Sequence, residues 1–278
     1  MNIKNLNLII AFLLIIISVI SYYKFIKNNN KLNKVESFKI YYGSINDSIL
    51  VNMKNYEMII AEASHFQKED VDRVKGKNSP ILIGYLSVFE IGSWDKEILK
   101  KIDSEDFLKV NGERVFNPKY NNYLGDIGQE SFRKLLISTL EERVISKGFD
   151  GVFLDTVDWI NYYEKDKQLY IKLLQGYEAL LKEIKLKFPN IYIIQNRGFG
   201  NLLNVSSKYI DGLLWENFKL QSPNDEIIRK QLTNVEKKKA ISIFTVSFQN
   251  QLENQKLSKK LGWKYFKLEN GSSFNKWQ

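Results

Sequence analysis

The chain has 278 residues, 44% hydrophobic and 13% aromatic, which suits one large domain with a full core and excludes a disordered chain. The net charge is +9, but residues 1–34 hold five lysines and no acid, so an excess of only four positive charges falls on the remainder, and no nucleic-acid-binding motif accompanies it. With no cysteine and a single histidine, disulfides, thiolate metal sites and cysteine nucleophiles are excluded, and multi-histidine metal sites or a Ser-His-Asp triad find little support.

Residues 5–23 carry no charge and lie between Lys4 and Lys24. At about 1.5 Å per residue such a run crosses a bilayer core. The exit reads Ser21-Tyr22-Tyr23-Lys24 with no small-x-small cleavage site, so residues 1–23 read as an uncleaved signal anchor in preference to a cleaved signal peptide. The lysines that follow would favour an inward-facing domain, yet long domains translocate largely regardless of charge, and the outside is the expectation. Residues 24–36, rich in Lys and Asn, read as a flexible polar stalk, and residues 37–278 as one domain.

Beyond the stalk, apolar runs at 38–42, 58–63, 81–87, 151–155, 191–196, 212–216, 240–246 and 263–268 read as strands. Several are nearly continuous in apolar residues, as strands buried on both faces are. Between them, Phe132, Leu136, Leu140 and Val144 form one helical stripe, and Tyr170, Leu174, Tyr177, Leu181, Ile184 and Phe188 another; residues 225–238 and 251–261 are weaker helical patterns. Eight strands alternating with helices predict a (β/α)8 TIM barrel, with a doubly wound open sheet as the alternative. The long connection 103–127 stands out as a functional loop; its Phe107, Phe116, Tyr120 and Tyr123 read first as packing for the loop and second as sugar platforms.

Catalytic groups of such barrels stand at the C-terminal strand ends. Those ends offer Glu62 with His65, then Tyr85, Ser87 and Glu90, Asp155 and Asp158, Asn196 and Arg197, and finally Glu216 and Asn217. Carboxylates from four strands converging on one rim are costly unless paired or used. Asp155 and Glu216 directly follow the apolar runs GVFL and GLLW and read as functional; Glu62 and Glu90 read first as partners of Arg197 or as caps, Asp158 stands evenly between an N-cap and a site residue, and His65 reads as a hydrogen-bonded structural residue. Two facing carboxylates are what glycosidic cleavage needs, one to protonate the leaving oxygen and one to stabilise or attack the oxocarbenium-like centre. An all-carboxylate Mg²⁺ or Ca²⁺ site stays open on these residues alone.

The run Gly148-Phe149-Asp150-Gly151-Val152-Phe153-Leu154-Asp155-Thr156-Val157-Asp158 resembles the hallmark of glycoside hydrolase family 114, the endo-α-1,4-polygalactosaminidase-like barrels. Tyr85-Leu86-Ser87 with Glu90, Tyr123-Leu124-Gly125-Asp126, Asn196-Arg197-Gly198 and Trp215-Glu216 follow in that family's order. The resemblance implies hydrolysis of α-1,4-linked galactosamine or N-acetylgalactosamine polymers, found in microbial exopolysaccharides and biofilms, by a retaining mechanism with no metal or other cofactor. Carried over by position, Asp155 is the nucleophile and Glu216 the general acid/base. Tyr85, Glu90, Asp158, Asn196 and Arg197 line the sugar, and Glu62 and Asp126 add to an acidic groove. The chain departs from relatives at Val88-Phe89-Glu90 and Ala61-Glu62-Ala63. The expectation is thus an extracellular, membrane-tethered, monomeric hydrolase with a polysaccharide partner and no nucleic acid. A non-catalytic barrel that retains polysaccharide at the surface is the reading from another class.

Overall fold

A computed structural model describes residues 30–76, 79–268 and 273–277. Eight parallel strands follow one another around a barrel: β1 (Phe38–Tyr41), β2 (Met58–Ala61), β3 (Ile81–Ser87), β4 (Gly151–Asp155), β5 (Tyr192–Asn196), β6 (Gly212–Glu216), β7 (Ser242–Val246) and β8 (Lys264–Phe266). Each is hydrogen-bonded to the next in the sheet. All eight expected strands are present, and the open-sheet alternative fails because β1 and β8 come together, with the Phe38 and Phe266 rings 5.7 Å apart. They form no ladder of their own; instead the Tyr42 amide donates to the Phe274 carbonyl at 2.8 Å, so the C-terminal segment covers this seam.

The outer layer is α1 (Asp47–Met53), α2 (Lys68–Val74), α3 (Lys96–Lys101), α4 (Glu130–Leu140), α5 (Lys167–Lys187), α6 (Asn201–Ser206), α7 (Pro223–Lys239) and α8 (Gln251–Leu261). Local chemistry fixes their ends. Ser222 and Asp225 form a capping box around α7, Pro223 opens it, and Lys237, Lys238 and Lys239 sit in its last turn, where the helix dipole favours cations. The stripe Phe132, Leu136, Leu140 and Val144 is buried, the last residue on a π turn that continues α4 through Ile145.

Side chains alternate along each strand, and the alternation makes two cores. Outward residues such as Ile59, Leu82, Val152, Leu154, Ile193, Leu213 and Ile243 pack under the helices. Inward residues, among them Phe38, Ile40, Met58, Ile60, Ile83, Phe153, Ile194, Leu214 and Phe244, fill the barrel. The interior is therefore solid below the rim, and whatever the next inward residue of each strand carries is displayed at the mouth.

Two expectations for the N-terminal segment meet the structure differently. The anchor assigned to residues 1–23 lies outside the described residues; among those described, no helix is long and apolar enough to cross a membrane. Of the stretch read as a stalk, residues 30–36 belong to the barrel body instead. Lys31–Lys34 form a 3-10 turn, Leu32 and Val35 are buried in the interior core, and Asn33 accepts from the Ser242 hydroxyl at 2.8 Å. This turn plugs the N-terminal end of the barrel. Its two apolar residues were masked in the sequence by the lysines and asparagines around them.

Candidate active site

The inward set of each strand ends in a polar residue. Two positions beyond Ile40, Ile83, Phe153, Ile194 and Leu214 stand Tyr42, Tyr85, Asp155, Asn196 and Glu216. All five line one cleft of about 720 Å³ at the C-terminal mouth, within the usual size of a ligand site.

Asp155 and Glu216 are joined by one side chain. The Asn196 Nδ2 donates to Asp155 Oδ1 at 2.7 Å and to Glu216 Oε2 at 2.8 Å. The two acceptor oxygens therefore lie no more than 5.5 Å apart. Rotating the amide would turn Asn196 Oδ1 onto two carboxylates, so the donor face is enforced. The other Asp155 oxygen, Oδ2, accepts from the Tyr85 hydroxyl at 2.9 Å. The Tyr42 ring packs on Tyr85 at 5.0 Å. Burial, and then the negative charge of Asp155, push both phenols well above their ordinary pKa, so both remain proton donors.

The Glu216 carboxyl is raised above its ordinary value, chiefly by burial; Asn196 and Arg197 pull it down, and Asp155 and Asp158 push it up. Asp158 is raised for the same leading reason, although the Arg197 guanidinium lies 3.4 Å from it. Two neighbouring carboxyls thus differ in environment: one is gripped by two hydrogen-bond donors, the other holds its proton more tightly than a free glutamate does. That separation of roles is what acid/base catalysis at a carboxyl pair requires.

The backbone turns sharply at this rim. Thr156, Arg197 and Asn217, each immediately after one of the three bridged residues, adopt φ of 64°, 53° and 55°. Left-handed backbone is rare for a β-branched residue and costs about 1–3 kcal/mol. The Thr156 hydroxyl offsets it: it donates to the Asp155 carbonyl at 2.6 Å and accepts from the Phe89 amide at 3.0 Å. The turn after β5 is held by Gln195, which points outward. Its Nε2 donates to the carbonyls of Arg197 and Gly198 at 2.7 and 3.1 Å, and its Oε1 accepts from the Tyr177 hydroxyl at 3.0 Å. Gly198, at φ 69°, is required there, since a Cβ would meet Leu202 and Gln195 within 2.8 Å.

The long connection supplies one wall. A small antiparallel sheet pairs Glu90–Gly92 with Asn122–Leu124, and the latter with Phe116–Asn117. It delivers Asn117 and Asn122 to Glu90, whose carboxylate accepts from both side-chain amides at 2.8 Å and from Trp159 Nε1 at 2.9 Å. Tyr120 lines the cleft and is exposed, as are Trp94 and Tyr162, whereas Phe107 and Tyr123 pack on one another at 5.7 Å.

The structure thus brings together Asp155, Glu216, Tyr85, Glu90, Asp158, Asn196 and Arg197. Two expected site residues are elsewhere. Asp126 is buried behind the loop, ion-paired with Lys172 and accepting from the Gly128 amide at 3.0 Å, so it holds the loop onto α5. Glu62 accepts from the Ser64 amide at 3.0 Å, capping a 3-10 turn, and faces a smaller adjacent cavity of about 100 Å³. His65 is a structural residue whose Nδ1 donates to the Gly43 carbonyl at 2.9 Å. Tyr42, Trp94, Asn117, Asn122, Thr156 and Trp159 went unread; the aromatic run Trp159-Ile160-Asn161-Tyr162 directly after Asp158 was the signal available for part of this wall. Among the described residues no group of three His, Asp or Glu side chains is placed to hold a metal ion.

Comparison with known proteins gives the arrangement a context. A family model described as hypothetical glycosyl hydrolase family 15 (GHL15) matches residues 91–268. The uncharacterized protein MJ1477 of Methanocaldococcus jannaschii is 26% identical over 152 residues, and this chain spans only 40% of its length. The glycoside hydrolase domain of PelA from Pseudomonas aeruginosa superposes with a TM-score of 0.67 at 18% identity, over 84% of this chain and 94% of that one. Ega3 of Aspergillus fumigatus, in complex with galactosamine, superposes at 0.51 and 16% identity, over 77% of each chain. At such identities the likeness is one of fold. The glycoside-hydrolase resemblance carried by residues 148–158 is borne out by the family match.

Proposed function

This chain belongs to the hypothetical glycosyl hydrolase family 15, and on that premise we propose that it hydrolyses α-1,4-linked galactosamine and N-acetylgalactosamine polymers by a retaining mechanism. The observation that carries the mechanism is the single Asn196 amide bridging Asp155 and Glu216. Bridged oxygens no more than 5.5 Å apart favour the roughly 5–5.5 Å spacing of retaining glycosidases over the roughly 6.5–9.5 Å that inverting ones need to admit a water.

In the first step Glu216, protonated, gives its proton to the glycosidic oxygen as the C1–O bond breaks. An Asp155 oxygen forms the new bond to C1. Water then attacks C1, loses its proton to Glu216 and releases Asp155 with the original anomeric configuration. Tyr85 and Asn196 hold the two Asp155 oxygens in place, and burial raises the Glu216 carboxyl above its ordinary value, so that it keeps its proton to higher pH than a free glutamate does. The sugar class follows from charge. Among the described residues the cleft is lined by Glu90, Asp155, Asp158 and Glu216 against one cation, Arg197, on a chain that is basic as a whole. Such a cleft concentrates cationic amino sugars locally, and the exposed rings of Trp94, Tyr120 and Tyr162 offer apolar faces to pyranose rings. We place the domain outside the cell, tethered by residues 1–23, which protease treatment of intact cells tests directly: protection of the domain would overturn the location.

The reaction is tested by reducing-end release from partially deacetylated α-1,4-N-acetylgalactosamine polymer by residues 30–278, beside Asp155→Asn and Glu216→Gln. Release by the wild type and its loss in both variants is expected. Binding without release would instead mark a polysaccharide-retaining barrel.

A further inference from the structure

A second cleft, of about 520 Å³, opens on the far side of Glu216, between the turns after β4, β5 and β6 and the start of α7. It shares Arg197 and Glu216 with the first cleft, but Asp155 lines only the first. We propose that this second cleft binds the leaving-group side of the polymer, so that the chain crosses from one cleft to the other over Glu216. The inference rests on the hydrolase reading above and adds a direction to it.

The argument is geometric. A retaining nucleophile must touch the anomeric carbon of the sugar that stays behind, so that sugar lies in the cleft holding Asp155. The general acid must touch the oxygen that joins this sugar to the next one. Glu216 faces both clefts, which puts the scissile oxygen at their boundary and the departing sugar beyond it. Two further features suit a departing pyranose. Ile227 is exposed on the wall of the second cleft, offering an apolar face, while Asn217, Asn224 and Lys219 supply hydrogen-bonding groups around it. The left-handed backbone of Asn217, φ 55°, turns the chain directly after Glu216, and Arg197 and Glu216 line both clefts. The two clefts also differ in charge balance: the first sets three carboxylates besides Glu216 against Arg197 and adds three exposed aromatic rings, whereas the second sets Glu164 and Asp225 against Arg197 and Lys219 and is rich in amides. The departing side therefore accepts neutral, N-acetylated residues more readily than the side that stays.

The test separates the two sides by using a substrate that has only one of them. An α-galactosaminyl oligosaccharide fluoride occupies the first cleft and leaves as fluoride, with no departing sugar. The double variant Asn224→Ala/Ile227→Ala should lose at least tenfold more kcat/KM on the polymer than on the fluoride. Asn224→Trp, which fills the cleft from an exposed helix position, should show the same split and should also suppress transfer of the glycosyl group to an added N-acetylgalactosamine oligosaccharide. Trp94→Ala, in the first cleft, should lower both substrates together. Equal losses on polymer and fluoride in the second-cleft variants, or none on the polymer, would overturn the assignment while leaving the hydrolase intact. A wild-type chain that turns over neither substrate would overturn the hydrolase reading and the assignment with it.

Discussion

Strands β4 and β6 each carry a carboxylate at both ends, five residues apart, and the two ends treat it in opposite ways. At the N-terminal end, Asp150 pairs with Lys75 at 2.6 Å and accepts from the Leu82 amide at 2.8 Å, while Asp211 pairs with Lys185 at 2.8 Å and accepts from the Ile193 amide at 2.9 Å. Each charge there is neutralised by a lysine and tied to a neighbouring strand. At the C-terminal end, Asp155 and Glu216 share one neutral amide, and among the described residues no Lys, Arg or His lies within ion-pairing distance of either. The same residue type on the same strands therefore joins strands at one end and is held unneutralised at the other. Holding it so costs stability, which is the usual trade at a site built for chemistry.

The comparison breaks most visibly under substitution of the upper pair. Asp155→Asn should lower kcat at least about a thousandfold, and Glu216→Gln about a hundred- to ten-thousandfold, with both proteins folded by circular dichroism. The lower pair should behave the other way. Asp211→Ala leaves the Ile193 amide without its acceptor and the Lys185 ammonium with only the Ile191 carbonyl, and should cost about 1–3 kcal/mol in denaturant unfolding. Its kcat, measured well below the melting temperature, should match the wild type; a large fall would mean that the two ends are not functionally distinct.

The pH profile sharpens the contrast at the upper end. Asp158 raises and Arg197 lowers the Glu216 carboxyl. The general acid must be protonated, so the alkaline limb of kcat/KM follows this group. Asp158→Asn should move that limb to lower pH and Arg197→Met to higher pH. The reverse order would assign the limb to another group. The smallest effect is on stability. A carboxyl whose pKa is raised on folding destabilises the fold once it ionises, so above the ordinary glutamate value Glu216 opposes folding. Near neutral pH, Glu216→Gln should therefore melt at or above the wild type, and the difference should vanish as the pH falls below the ordinary carboxylate range. A variant less stable than the wild type at every pH would argue that Glu216 is a structural residue like Asp211.

Most of the barrel was legible because its signals are local. Runs such as GVFLD and GLLWE are apolar on both faces, end in an acid and sit at the right spacing for strands enclosed by helices, so β4 and β6 and the two residues at their tips could be read together. Asp126 was placed in the groove on the family resemblance of Tyr123-Leu124-Gly125-Asp126 alone; only the tertiary fold shows that its partner is Lys172, 46 residues away. Glu62 takes the capping role that its sequence reading put first, and its second reading as a groove residue gives way because the Ser64 amide, two residues beyond the acid, holds it locally. The wall around Glu90 was out of reach, since Asn117, Asn122 and Trp159 arrive from separate loops and nothing in their immediate sequence says which carboxylate they meet. Leu32 and Val35 show the converse: two buried residues in a polar segment are enough to make it part of the core.

The measurement that tests the central claim most directly is the configuration of the first sugar end released. Proton NMR of the anomeric region during early hydrolysis of the α-1,4-linked polymer reads it before mutarotation. Asp155 and Glu216, held by one Asn196 amide, predict the α-anomer first and the β-anomer only as equilibrium is approached. The β-anomer appearing first would mean a water between the two carboxylates, and so an arrangement other than the bridged pair.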